Sequence, residues 1–116
     1  SLPRPSGGRR IIWLDEHRPV LRCRGDEDIT TQGLRRRALA QAQAIATDVV
    51  VDLRELRFAD ASLMVDFANL ARRLRFGGRN LVLSGAQPQI VRLIEMVGLH
   101  RQPGVQIRPA GRPTFA

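Results

Sequence analysis

The chain offers few side chains that could support catalysis or metal binding, and their spacing favours neither. His17 and His100 lie in segments predicted to be loops, where solvated surface histidines are expected. No His-x-x-x-His or Cys-x-x-Cys pair occurs, so a zinc site lacks its ligands. Cys23, the only cysteine, lies in an alternating pattern typical of a strand, which predicts a buried, unreactive thiol.

Two acidic segments remain as candidates for chemistry. The run at residues 26–28 could bind a cation, but no further clustered carboxylates follow it, so a polar turn after a strand is favoured. The stretch Asp60-Ala61-Ser62 places a hydroxyl beside a carboxylate, yet no base lies nearby in the sequence to activate that hydroxyl. No phosphate-binding Gly-x-x-x-x-Gly-Lys motif occurs, because the chain has no lysine. We therefore predict no catalytic residue, no metal site, no cofactor and no enzymatic activity.

The elements that must position these residues are predicted to form one domain. The chain has 116 residues, of which 43% are hydrophobic, and this is enough for a single core. Its apolar runs, such as Val49-Val50-Val51, are far shorter than the roughly 20 residues that a membrane-spanning helix needs. We expect a flexible leader at residues 1–10, the folded domain at residues 11–108 and a C-terminal tail at residues 109–116.

The net charge of +8 comes from arginine alone. Most of the excess lies near the ends of the chain, at Arg4, Arg9, Arg10, Arg101, Arg108 and Arg112. A nucleic-acid-binding surface usually combines concentrated positive charge with aromatic or groove-entering elements. Here the aromatic residues are four Phe and one Trp, and no stacking pair adjoins a basic cluster. Nucleic-acid binding is therefore not expected.

Hydrophobic periodicity predicts strands and helices in the order β-β-α-β-α-β-α-β. The predicted strands are residues 10–14, 20–24, 48–53, 80–83 and 104–108, and the predicted helices begin near residues 30, 60 and 88. After an opening hairpin, β-α units repeat. This pattern is typical of an α/β fold with a mixed β-sheet, right-handed crossovers and helices covering the sheet.

In the first two predicted helices, the spacing of the apolar residues indicates which side chains face the core. In the first helix, the core positions are Leu34, Ala38, Ala42 and Ile45, and the three arginines at residues 35–37 are expected to lie mostly on the opposite face. In the second helix, Asp60 is placed to cap the N-terminus, and the core positions are Leu63, Phe67, Leu70, Ala71 and Leu74. Met64, Val65 and Ala68 fall beside these positions, either as an exposed patch for a protein partner or as a second edge of the buried face.

Three segments together resemble the STAS domain family (sulfate transporter and anti-sigma factor antagonist), over roughly residues 11–108. Residues 25–29, Gly-Asp-Glu-Asp-Ile, are similar to the family's Gly-x-x-Asp-apolar turn before its first helix. Residues 49–62 resemble its central strand and following loop, which usually ends Phe-x-Asp-Ser-Ser-Gly. Residues 76–85, with the helix at residues 90–99, resemble its Gly-Gly strand and last helix.

The resemblance implies a cytoplasmic, non-catalytic regulatory module of the bacterial anti-sigma factor antagonist type. Such proteins bind an anti-sigma factor, typically a serine kinase, and so release a sigma factor for transcription. The kinase phosphorylates the serine after the loop aspartate, and the added charge of about −2 breaks the complex. By this resemblance, the partner-binding and regulatory residues are Asp28, Phe58, Asp60, Ala61, Ser62 and Leu63, and the helical spacing adds Met64 and Val65 to them.

The chain departs from the family pattern directly after Asp60. Ala61 occupies the position of the phosphoserine, and Leu63 replaces the usual glycine, adding bulk that would clash with a partner surface shaped for glycine. Three interpretations stay open. Ser62 serves as the phosphoacceptor instead, the domain binds its partner without a phosphoswitch, or the surface has another use.

The resemblance also leaves other classes of function open. STAS domains serve as accessory modules of lipid or anion transporters, where they dock on an ATPase or permease. Some resemble binders of nucleotides or small anions, and helix N-termini would allow this, but no phosphate-binding loop supports it in this sequence.

Overall fold

The described part of the chain is an α/β domain, seen in a computed structural model over residues 12–15, 17–27 and 32–109. Its elements are β1 (Ile12–Leu14), β2 (Val20–Glu27), α1 (Gln32–Gln43), β3 (Val49–Ala59), α2 (Ala61–Phe76), β4 (Leu81–Ser84), α3 (Pro88–Val97), a 3₁₀ turn (Leu99–Arg101) and β5 (Val105–Arg108). This succession confirms the predicted order of strands and helices. The expected leader and most of the expected tail lie outside the described residues.

The described strands form one mixed sheet in the order β1-β2-β3-β4-β5. β1 pairs antiparallel with β2, with Ile12 opposite Cys23, and the other neighbouring strands are parallel. Because the strand order follows the chain order, right-handed crossovers place α1, α2 and α3 on the same face. Among the described elements, no helix covers the opposite face of the sheet, which we call the open face.

Alternation along the strands separates the two faces of the sheet. The helix-facing positions are buried in the core, namely Leu21 and Cys23 of β2, Val49, Val51 and Leu53 of β3, and Leu81 and Leu83 of β4. The alternate positions lie on the open face, where Val20, Arg22, Val50, Asp52 and Ser84 are partly exposed and Val82 is buried. The alternation predicted for β2 is therefore confirmed.

β3 is longer than the sequence pattern predicts. The pattern ended this strand at Leu53 and assigned the following residues to a loop, whereas β3 continues to Ala59 with Leu56 and Ala59 buried. The pairing with β2 changes register twice, between Arg22 and Arg24 and between Gly25 and Asp26, and these irregularities break the period-2 pattern that marks a strand. Because β3 extends to Ala59, a single residue, Asp60, separates its end from the first residue of α2.

Arg35 contradicts the expected position of the arginine run in α1. Its side chain is fully buried, while Arg36 and Arg37 are exposed as predicted. Ala38 and Ala42 are buried too, also as predicted. Arg35 precedes these two alanines by three and seven residues, so it shares their face of the helix. A guanidinium on the core face of α1 requires polar partners inside the domain.

Candidate functional site

Asp60 connects β3 to α2 and caps the helix. Its backbone is extended (φ −104°, ψ 178°), and its carboxylate accepts a hydrogen bond from the Ser62 backbone N–H at 3.0 Å. Such a cap satisfies one of the first-turn N–H groups and stabilises a helix by about 1 kcal/mol. The capping role predicted for Asp60 is confirmed.

The hydroxyl of Ser62 is held from two sides. Ser62 Oγ donates a hydrogen bond to Asp60 Oδ1 at 2.5 Å and accepts one from Arg35 Nη2 at 2.8 Å. A serine hydroxyl has one proton to donate, and here that proton is committed to Asp60. Ser62 is half-buried at the start of α2. To react as a phosphoacceptor, its oxygen would have to move away from Arg35 Nη2.

Arg35 also binds Asp66, one helical turn beyond Ser62. Arg35 Nε lies 2.7 Å from Asp66 Oδ2, and the Arg35 side chain is 0% exposed whereas that of Asp66 is 31% exposed. A buried charge is tolerated only when it is paired and hydrogen-bonded. We call Arg35, Asp60, Ser62 and Asp66 the α1–α2 network, because it fastens α1 to the first two turns of α2.

Three exposed side chains at and near the start of α2 are apolar. Ala61 is exposed at the first helical position, and Val65, one turn later on the same face, is 57% exposed. Phe58, near the end of β3, is 51% exposed. We call Phe58, Ala61 and Val65 the α2 N-terminal surface. It has no titratable group of its own, so it suits a protein partner better than catalysis.

Met64 and Leu63 do not belong to this surface. Met64 is 1% exposed and Leu63 is 0% exposed, and both pack in the core. α2 lies between α1 and α3 and also contacts the sheet, so its buried face is wider than a single row of side chains. Of the two alternatives open for Met64, the structure therefore shows the buried one, and Met64 is not an exposed partner-binding residue. The clash expected at Leu63 is not supported either, because this side chain is buried in the core and is not presented at the surface.

The remaining residues singled out by the sequence are dispersed. Asp28 lies outside the described residues. Cys23 is buried and His17 is exposed, as predicted, but His100 is half-buried, contrary to expectation. Within residues 12–15, 17–27 and 32–109, no three His, Cys, Asp or Glu side chains are grouped so that they could hold a metal ion.

A charged cluster on the open face was missed by the sequence analysis. Asp52 Oδ2 lies 2.8 Å from both Arg22 Nη1 and Arg54 Nη2. The hydrogen bond from the Arg54 side chain lowers the pKa of Asp52, although burial opposes this shift. The same pairing raises the pKa of Arg54. The sequence does contain a signal for this cluster, because strand alternation places Arg22 and Asp52 on the same face of neighbouring strands.

Comparison with known families supports the fold seen here. A family model described as "Mlab, STAS domain" matches residues 13–109, which is most of the chain. This match confirms the STAS resemblance found in the three sequence segments. No curated protein matches the chain. In the part of the chain that the structure describes, none of the helices has both the length and the apolar character needed to span a bilayer.

Proposed function

The chain belongs to the STAS domain family, and from this premise we propose that it is a non-catalytic protein-binding module of the anti-sigma factor antagonist type. In this proposal it docks through the α2 N-terminal surface on an anti-sigma factor of the serine kinase type and thereby releases a sigma factor. The docking does not depend on phosphorylation of the loop that follows Asp60.

The side chains at positions 61 and 62 carry this proposal. Ala61 is exposed at the position where the family pattern has its phosphoserine, and it has no hydroxyl to modify. Ser62 has a hydroxyl, but Asp60 and Arg35 hold it within the α1–α2 network. Neither residue therefore presents a free hydroxyl to a kinase. A partner that binds here would remain bound until something other than phosphate at this loop releases it.

The composition of the surface supports docking of a protein. Phe58 and Val65 are each more than half exposed, and burying apolar surface is worth about 25 cal/mol per Å². Because Asp60 caps α2 and Arg35 fastens its first turns, the surface is rigid before a partner arrives. A preorganised surface loses less conformational entropy on binding than a mobile one.

The experiment that tests the proposal is affinity capture with the full chain as bait, from a lysate of the organism that encodes it. Val65→Asp is the informative variant, and Val97→Asp is its control, because Val97 of α3 is 45% exposed but lies outside the α2 N-terminal surface. We expect wild type and Val97→Asp to retain an anti-sigma kinase that Val65→Asp loses. Equal retention of that kinase by all three baits would refute the proposed surface.

The phosphorylation state is tested with the captured kinase and ATP. Mass spectrometry should find no phosphate on Ser62 of the wild type. Ala61→Ser restores a hydroxyl at the exposed position, and we expect the kinase to phosphorylate this introduced hydroxyl and to release the variant. Phosphate on Ser62 of the wild type would show that the switch operates in spite of the Arg35 contact.

A second candidate is an accessory module of a lipid or anion transporter. The same observation at Ala61 favours it, because a subunit that stays docked on an ATPase or permease needs no phosphorylated serine to release it. The capture experiment separates the two candidates. Recovery of a transporter ATPase or permease in place of a kinase would assign the protein to the transporter class.

A further inference from the structure

The open face of the sheet carries a second cluster of functional groups, which is charged, whereas the α2 N-terminal surface is apolar. A cavity of about 340 Å³ lies there, and the arginines that line it are Arg18, Arg22, Arg54 and Arg108. Its floor includes the half-buried Val20 and Val50. Asp52 is the one acidic side chain among the lining residues. The cavity therefore has a clear excess of positive charge.

The few carboxylates near the cavity do not neutralise its arginines. Asp52 is shared between Arg22 and Arg54, and Arg22 also binds Asp15 at 3.2 Å. The Arg54 side chain remains 66% exposed in spite of its ion pair.

The other two arginines of the cavity, Arg18 and Arg108, add to its excess of positive charge. Arg18 and Arg108 are exposed, and neither forms an ion pair within the part of the chain that the structure describes. Guanidinium groups exposed to water can exchange that water for anionic groups at small desolvation cost.

We propose that the open face is a docking surface for an acidic protein segment, whose Asp and Glu carboxylates pair with Arg18, Arg54 and Arg108. This inference is independent of the α2 N-terminal surface. It assigns the protein a second partner site of opposite chemistry, charged where the first is apolar.

The geometry already present on this face favours carboxylates as the anionic groups. Arg54 contacts Asp52 through two nitrogens, with Nε 3.0 Å from Oδ1 and Nη2 2.8 Å from Oδ2. This side-on arrangement of a guanidinium and a carboxylate is the strong, directional form of the interaction. Partner carboxylates can adopt the same arrangement with the exposed guanidinium groups of Arg18 and Arg108.

The other anionic macromolecules fit this surface less well. Surfaces that bind single-stranded nucleic acid without sequence preference add aromatic side chains on which bases stack, and no aromatic residue lines the cavity. Trp13 has the Arg24 guanidinium 5.1 Å from its ring centroid, so that ring is partly covered. A membrane-binding surface would present large apolar side chains for insertion, whereas the valines here are half-buried.

The test measures binding of a fluorescein-labelled peptide of alternating Asp and Glu to the full chain by fluorescence anisotropy. The reference is a peptide of the same length built from Asn and Gln. The informative variant is Arg18→Glu/Arg108→Glu. Its control is Arg92→Glu/Arg101→Glu, which makes the same change in net charge at exposed positions in α3 and the 3₁₀ turn.

We expect the acidic peptide, but not the reference peptide, to bind the wild type, and added salt to weaken this binding. The Arg18→Glu/Arg108→Glu variant should bind about tenfold more weakly or worse, whereas the control should stay within about twofold of wild type. Val65→Asp should leave peptide binding unchanged, which separates this proposal from the one above. Circular dichroism establishes that each variant is folded, and Arg18→Gln/Arg108→Gln replaces the charge reversal if that variant does not fold.

Three outcomes would overturn the proposal. They are no binding of the acidic peptide, equal weakening by the two double variants, and tighter binding of a phosphate-bearing probe than of the peptide at the same salt concentration. The phosphate-bearing probes are a duplex DNA and phosphatidylcholine vesicles containing phosphatidylglycerol. If either one binds more tightly and loses binding in Arg18→Glu/Arg108→Glu, the face recognises nucleic acid or membrane instead.

Discussion

Arg35 Nη2 donates a hydrogen bond to Ser62 Oγ across 2.8 Å, so a fully buried guanidinium on α1 holds the first turn of α2. Successive residues in an α-helix point about 100° apart, since the helix has 3.6 residues per turn. With Ser62 directed at Arg35, its neighbour Ala61 is directed outward. The contact thus determines which of the two positions a kinase or a partner can reach.

The first prediction concerns the stability that Arg35 provides. Replacement by Met keeps much of the apolar volume but removes the donors to Asp66 and Ser62. Losing one member of a buried ion pair costs about 3–5 kcal/mol. Because the Asp66 side chain is 31% exposed and can be hydrated, we expect Arg35→Met to lower the free energy of unfolding by about 2–3 kcal/mol. Urea denaturation measures this value.

Arg36→Met is the matched control for that measurement. Arg36 is the next residue of α1 and is exposed, so its replacement should change the free energy of unfolding by no more than about 0.5 kcal/mol. If Arg35→Met proves as stable as Arg36→Met, the α1–α2 network contributes nothing to the stability of the fold.

The second prediction compares the two adjacent positions of the loop. Ser62→Ala removes the hydrogen bond between Arg35 Nη2 and Ser62 Oγ, and a hydrogen bond that involves a charged group contributes about 1.5–3 kcal/mol. Ala61→Ser adds a hydroxyl at an exposed position and should alter stability by no more than about 0.5 kcal/mol. Thermal unfolding followed by circular dichroism should therefore show a clear loss for Ser62→Ala alone. Similar transitions for the two variants would contradict the inward position of Ser62.

Sequence periodicity predicted the order of the elements, but it failed at two places, the end of β3 and the position of Arg35 in α1. The end of β3 was missed because its register shifts against β2 put consecutive exposed residues, Arg54 and Glu55, inside a strand. Arg35 was placed outside because an arginine run is normally solvated, and only its Asp66 and Ser62 partners, distant in sequence, allow it to be buried. Neither effect leaves a local pattern.

The same limit explains the error at Met64. Its position beside the core stripe is compatible with either a surface or a buried residue, and the presence of helices on both sides of α2 decides between them. By contrast, the cap at Asp60 could be predicted, because it depends only on the residue type at the start of the helix.

The third prediction follows from this correction. Met64→Asp buries a carboxylate in the core at a site that is 1% exposed, and we expect it to lower the thermal transition steeply or to prevent folding. Val65→Asp introduces the same charge at a neighbouring, 57% exposed position and should leave the transition within a few degrees of wild type. If Met64→Asp unfolds at the wild-type temperature, Met64 is a surface residue after all.

The fourth prediction concerns the pH dependence of stability. The hydrogen bond from Arg54 lowers the pKa of Asp52 below its ordinary value of 3.8, so the folded state binds a proton there less readily than the unfolded state. The resulting stabilisation is fully present above that ordinary value and is lost as the pH falls through the lower pKa of the folded protein. Asp52→Asn removes the titrating carboxyl group, and Arg54→Gln removes the side-chain hydrogen bond that contributes most to lowering the pKa of Asp52.

Both variants should show a shallower loss of unfolding free energy between about pH 4 and pH 2 than the wild type does. Some acid dependence should remain in each, because the backbone hydrogen bond from His17 and the nearby Arg22 also lower the pKa of Asp15. Arg92→Gln, an exposed change on α3, is the control and should reproduce the wild-type slope. Urea titrations at a series of pH values supply the slopes. An unchanged slope in Arg54→Gln would contradict this prediction, because it would mean that the Arg54–Asp52 pair on the open face contributes no net stability.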